Sequence, residues 1–187
     1  MTKFRRNGHL VPVVLLLTGT VGLSACGPGE PSSSPSVSPT SSTPSTSPST
    51  RSPADVDEER AGQAVVELWK VIDKVGADPK SKLEEINTVA RGTVNSQWTK
   101  NLFDRRARGE RFVGHTTVKV LEASLKKAAV YEVSACLDFS GLNVVDSKGK
   151  SIVPADRQPH LGYTYEVTQD KKDQKWYVTT EKVTGPC

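Results

Sequence analysis

Residues 131–139 read YEVSACLDF. Tyr131, Val133, Ala135, Leu137 and Phe139 alternate with Glu132, Ser134, Cys136 and Asp138. A period of two is what a strand with one buried face imposes. The same alternation recurs at Tyr163-Tyr165-Val167 and Trp176-Val178, and upstream at Val118-Val120 with Leu125. Lys126-Lys127, DSKGK at 146–150 and QDKKDQK at 169–175 separate these runs and read as turns. The second half of the chain is therefore expected to form an antiparallel sheet.

Before Gly109 the period is helical. Ser52-Pro53-Ala54-Asp55 offers a capping serine, a proline at the first helical position and an acid three residues after the cap. Ala61, Val65, Leu68, Ile72 and Val75 then recur at three- and four-residue spacing, and Gly76 and Pro79 end the run. Ser81-Lys82-Leu83-Glu84 repeats the capping signal and predicts a shorter helix with Leu83, Ile86 and Val89 inward. Thr93 opens a third, with Val94, Trp98 and Leu102 on one side and Gly109 as its left-handed stop. Three helices followed by a sheet make an α+β domain over residues 54–187. Its 134 residues suffice to bury roughly two-thirds of the unfolded surface.

This layout resembles the NTF2-like fold, the cone-shaped domain of nuclear transport factor 2 and ketosteroid isomerase. More narrowly, VVELWKVID near the start, ACLDFSGLNVVDSKGK at 135–150 and the terminal GPC resemble exported lipoproteins of high-GC Gram-positive bacteria and their phages. The resemblance implies three N-terminal helices packed on a curved antiparallel sheet. Within such a cone, Trp69, Trp98, Tyr131, Tyr163 and Tyr165 are the candidate pocket residues.

The first 25 residues have a different character. MTKFRRNGH carries Lys3, Arg5 and Arg6 without an acid, and 10–25 are apolar or small, interrupted by Pro12, Gly19 and Gly22. A membrane-spanning helix needs about 20 apolar residues, so this shorter run reads as an export signal. At its end, Leu23-Ser24-Ala25-Cys26 resembles the bacterial lipobox. That resemblance implies cleavage after Ala25 and a diacylglyceryl thioether on Cys26, which becomes the first mature residue. Acyl chains together on one residue give stable attachment where a single chain would be marginal. The implied location is the outer face of the cell membrane.

Residues 26–53 form the connection. From 28 to 53, Ser, Thr and Pro account for 22 of 26 positions. Almost nothing there can be buried, so the segment is expected to act as a disordered tether. Its reach is about 30 Å as a flexible coil and about 80 Å if fully extended as polyproline helix.

Net charge is +4 for the whole chain, but three of the cations lie in the signal. Residues 54–187 carry 21 basic and 20 acidic side chains. A nucleic-acid partner loses its electrostatic support. With Cys26 assigned to lipid, Cys136 and Cys187 remain as an even pair in an exported domain, where disulfides form.

Catalytic signatures are sparse. His115 and His160 stand alone, and no HExxH, CxxC, G-x-S-x-G, P-loop or G-x-G-x-x-G pattern occurs. No catalytic residue, cofactor or metal is expected. The one enzymatic reading, acid–base chemistry of the isomerase or dehydratase type, would draw on Asp138, Tyr131, Tyr163, Tyr165 and His115. Alternation places Asp138 on the face opposite Tyr131, Val133 and Leu137, away from the apolar pocket. Arg105, Arg106, Arg108 and Arg111 cluster at the third helix's end, where its dipole favours cations. The sequence thus points to a non-catalytic binding module at the cell envelope, taking an envelope protein or a small apolar ligand.

Overall fold

A computed structural model describes residues 52–187. The signal, the lipobox with Cys26, and the tether up to Arg51 lie outside the described residues. Two α-helices, α1 (Pro53–Ala77) and α2 (Gly92–Ala107), flank a short 3₁₀ helix over Leu83–Thr88. Six strands follow: β1 (Arg111–Gly114), β2 (Thr117–Lys127), β3 (Val130–Asp138), β4 (Leu142–Val145), β5 (His160–Gln169) and β6 (Trp176–Pro186). A four-stranded antiparallel sheet runs β2-β3-β5-β6, while β1 and β4 form a separate two-stranded ribbon. The molecule is α+β, with helices packed on one face of an antiparallel sheet.

The first helix begins as its sequence predicts. Asp55 N donates to Ser52 Oγ at 3.2 Å, and Ser52 N donates back to Asp55 Oδ2 at 3.1 Å, a complete capping box. Ala61, Val65, Leu68, Ile72 and Val75 are all fully buried. They meet the inner face of the sheet, where Val133, Leu137, Tyr165, Val167 and Val178 are equally closed to solvent.

The second predicted helix is only a 3₁₀ turn, and Ser81 does not cap it. Its hydroxyl faces Asp78 Oδ2 instead, and its amide donates to Asp78 O. Ile86 is still buried from this turn. The following segment seals part of the β6 edge: Val178 N donates to Val89 O, and Arg91 N to Val178 O, each at 3.0 Å. The third helix ends at Gly109, whose φ of 71° is the left-handed stop expected there.

The β2–β3 turn falls at 128–129 rather than at Lys126-Lys127, which are still strand. On the sheet's outer face Lys126 Nζ lies 2.6 Å from Glu132 and 3.2 Å from Glu166. The β1–β4 ribbon is not foreseeable from alternation, because its strands have four residues each. Asp73 of α1 anchors the chain after β1: it is buried and accepts from Thr116 N at 2.6 Å and Thr116 Oγ1 at 3.1 Å. Burial pushes its carboxyl above the usual aspartate range, and these two bonds oppose the shift.

Cys136 and Cys187 are joined by a disulfide, their Cα atoms 5.9 Å apart. Cys136 belongs to β3 and Cys187 follows β6, with β5 lying between. Two strand spacings would amount to about 10 Å, so the last residue folds back over β5. It crosses at Gly162, the register partner of both Cys136 and Gly185. A Cβ on Gly162 would sit 2.6 Å from Thr184 Oγ1 and 3.8 Å from Cys187 Cβ. The Thr184 hydroxyl is therefore what a side chain at this position would meet first, while the Cys187 contact is an ordinary one.

Candidate functional site

Three of the five candidate pocket residues gather at one place. Trp69 on α1, Trp98 on α2 and Tyr163 on β5 form a ring cluster with Phe139. Trp69 lies at its centre, 5.2 Å from Trp98, 5.4 Å from Phe139 and 6.2 Å from Tyr163, always edge to face. Beside these rings opens a cleft of about 240 Å³. The β1–β4 ribbon contributes Phe112, Leu142 and Val144 to its wall, and β5 adds Leu161. Asn101 and Arg105 of α2, with Arg157 and Gln158 of the β4–β5 loop, supply the polar part.

Tyr165 is the floor under this cluster and not a wall of the cleft. It is fully buried, stacks on Tyr163 at 5.8 Å with an interplanar angle of 11°, and accepts from Trp69 Nε1 at 2.9 Å. Burial pushes the phenols of both Tyr165 and Tyr163 up, the shift being large for Tyr165, and both are neutral at ordinary pH. The interior is therefore filled at the level of Tyr165, and the cleft opens beside it. Tyr131 does not join the group. It packs edge to face on Trp176 at 5.2 Å, and Trp176 lines a separate groove with Arg60 and Glu67.

The acid–base set assembled from sequence is dispersed. Asp138 closes the turn after β3, accepting from Ser140 N at 2.7 Å, with His160 Nε2 at 3.5 Å. The Ser140 bonds hold its carboxyl below the ordinary range. His115 lines a groove with Asp73, Lys70 and Val118. Neither residue borders the aromatic cleft.

The acid that does face the interior is Glu181, which alternation along β6 misses. Val178 pairs with Val167 and Thr180 with Glu166, so Thr179 is the extra residue of a bulge. The bulge shifts the phase by one, and Glu181 falls opposite Tyr165 on the inner face. Thr93 Oγ1 of α2 donates to Thr179 O, and Thr179 Oγ1 to Glu166 O, each at 3.1 Å. Burial pushes the Glu181 carboxyl above the ordinary glutamate range, and the Trp98 indole partly offsets this. Yet Glu181 Oε2 and Trp98 Nε1, both buried, have no hydrogen-bond partner of good geometry. Unsatisfied buried polar atoms are uncommon in folded proteins, and these two belong to the cluster beside the cleft.

The arginine cluster divides its work. Arg106 Nη2 donates to Val75 O at 2.9 Å and Asp78 O at 3.2 Å, tying down the C-terminal end of α1. Arg105 and Arg108 share Glu110, with closest approaches of 3.2 and 2.6 Å. Arg111 is an exposed residue of β1. Among the described residues no group of three or more His, Cys, Asp or Glu side chains is placed to hold a metal, and no helix is long and apolar enough to cross a membrane.

No protein-family model matches the chain, and no curated protein matches it in sequence. Solved structures do resemble it in layout. The intermembrane space region of the chloroplast protein ARC6 is 18% identical with a TM-score of 0.48, over 72% of this chain and 98% of that one. A ketosteroid isomerase-like protein from Erwinia carotovora atroseptica is 6% identical with a TM-score of 0.46, over 69% and 95%. An NTF-2 like protein of unknown function from Shewanella oneidensis is 12% identical with a TM-score of 0.38, over 65% and 96%. At these values nothing about activity is transferred.

Proposed function

We propose that the chain is an exported lipoprotein whose NTF2-like domain is a non-catalytic binding module for a small apolar ligand at the outer face of the cell membrane. Cys26 carries the diacylglyceryl anchor, and residues 26–53 are the tether. The observation that carries the binding reading is the cleft walled by Trp69, Trp98, Phe112, Phe139 and Tyr163. Rigid aromatic walls with a few polar groups at one side are the make-up of small-molecule sites. Its volume of about 240 Å³ is below the roughly 300–1,000 Å³ typical of drug-sized ligands. The ligand is accordingly small, on the scale of one or two rings.

The binding test uses the mature chain, residues 26–187, with Cys26→Ser to keep it in solution. Titration with 2-naphthylmethanol should move the indole N–H resonances of Trp69 and Trp98 and leave Trp176 in place. Unmoved Trp69 and Trp98 signals at saturating probe would overturn the reading. Anchoring is tested separately with a clickable fatty acid in growing cells. Label and membrane fractionation should both be lost in Cys26→Ser; a variant still acylated would refute the lipid anchor.

A second reading, an acid–base enzyme, has one observation in its favour: Glu181 is a buried carboxyl with a raised pKa beside Tyr163. The carboxyl is not on the cleft wall, however, whereas Trp98 and Tyr163 are. Binding is therefore the leading reading.

A further inference from the structure

We infer that the cleft selects a carboxylate-bearing apolar ligand, with Arg157 as the group that receives its anionic end. This rests on the binding reading above and adds the charge of the ligand.

Arg157 lies on the β4–β5 loop, half-buried, and lines the cleft next to Leu161 and Tyr163. Its Nη2 donates to Phe139 O at 2.6 Å and to Leu142 O at 2.8 Å. Those two bonds fix the guanidinium over the β3–β4 turn, at the aromatic wall. A guanidinium has five N–H donors, so three remain, on Nε and Nη1, with no partner among the described residues. None of the described carboxylates lies within ion-pair distance of Arg157, whereas Arg105 is paired with Glu110.

The rest of the wall agrees in sign. Two arginines line the cleft and no carboxylate does. Glu110 is shared between Arg105 and Arg108, so that trio keeps one positive charge. A half-buried cation already held in place, with donors to spare, has little freedom left to lose on binding an anion. Charge-assisted hydrogen bonds of this kind are about twice as strong as neutral ones. Asn101 and Gln158 add neutral polar groups at the same side. The preferred ligand is thus a flat apolar body, seated against Trp69, Trp98 and Phe139, carrying one carboxylate.

The experiment compares 2-naphthoate with the uncharged 2-naphthylmethanol on the mature Cys26→Ser chain, following the Trp69 and Trp98 indole signals. Naphthoate should bind about tenfold more tightly or better, and added salt should weaken naphthoate alone. Arg157→Gln should bring the two probes to similar affinity, while Arg157→Lys keeps part of the preference. If Arg157→Gln does not fold, the wild-type preference and its salt dependence decide. Equal binding of both probes overturns this inference and leaves the cleft a binding site. No binding of either probe overturns both.

Discussion

Glu181 stands opposite Tyr165 on the inner face of the sheet only because Thr179 is bulged out of register. In an unbroken strand Val178 and Thr180 would share that face, and Glu181 would point to solvent. The bulge is held by the Thr93 hydroxyl on the Thr179 carbonyl and by the Thr179 hydroxyl on the Glu166 carbonyl of the neighbouring strand.

The pH dependence of stability should report this placement. Burial raises the Glu181 carboxyl above its ordinary value of 4.5, so the folded chain keeps a proton that the unfolded chain releases. Its contribution is fully present below the unfolded value and is lost as pH rises from there through the raised folded value. Glu181→Gln removes that loss. Its stability relative to wild type should climb across the interval above 4.5 and then level off. Carboxyls held low, such as Glu110 and Asp138, slope the other way but cancel in the difference. Urea unfolding of both proteins from about pH 4 to about pH 8 is the measurement; a difference that stays flat would show that Glu181 ionises freely.

Tyr165→Phe should cost about 1–3 kcal/mol, because the buried Trp69 Nε1 loses its acceptor. The companion Trp69→Phe,Tyr165→Phe removes the orphaned donor as well. A double-mutant cycle by urea unfolding should show coupling between the two sites. Additive losses would mean that the 2.9 Å contact contributes only packing.

The α+β layout was legible because its carriers are long and regular. The buried stripe from Ala61 to Val75 and the alternation from Tyr131 to Phe139 each extend over enough residues to show a period. The site was legible in part. Trp69, Trp98 and Tyr163 are large apolar residues on faces that periodicity identifies, and they converge. Tyr131 lies on the same face of the sheet as Val133, but at the far end, and single-strand alternation gives a face without a position along the sheet. Glu181 was hidden by a bulge, which a pattern of apolar residues does not announce when the displaced residue is threonine. Arg157 came from a loop of polar and proline residues, where only tertiary contacts with Phe139 O and Leu142 O reveal its place.

Removal of the disulfide should be costly. The link closes a separation of 51 residues, which in the chain-entropy model corresponds to about 4 kcal/mol of stability. The double variant Cys136→Ser,Cys187→Ser should lose up to that amount in urea unfolding, and wild type treated with reductant should lose a similar amount. A double variant as stable as wild type would mean that the native crossing carries compensating strain.

The crossing over β5 gives a sharper test than the disulfide itself. Gly162→Ala places a methyl 2.6 Å from Thr184 Oγ1, a contact that real side chains do not sustain. Overpacking of this kind costs about 1–3 kcal/mol, and here the cross-link at Cys187 limits how far the chain carrying Thr184 can retreat. Thr184→Ala alone should be nearly neutral, because Thr184 is exposed. Combined with Gly162→Ala it removes the nearest obstacle, so the pair should recover much of the loss. The cycle is read by urea unfolding with the disulfide intact and again after reduction. Reduction frees the chain end, so the penalty of Gly162→Ala should shrink in the reduced protein. An equal penalty in both redox states would place the conflict in the strand backbone and not at the crossing.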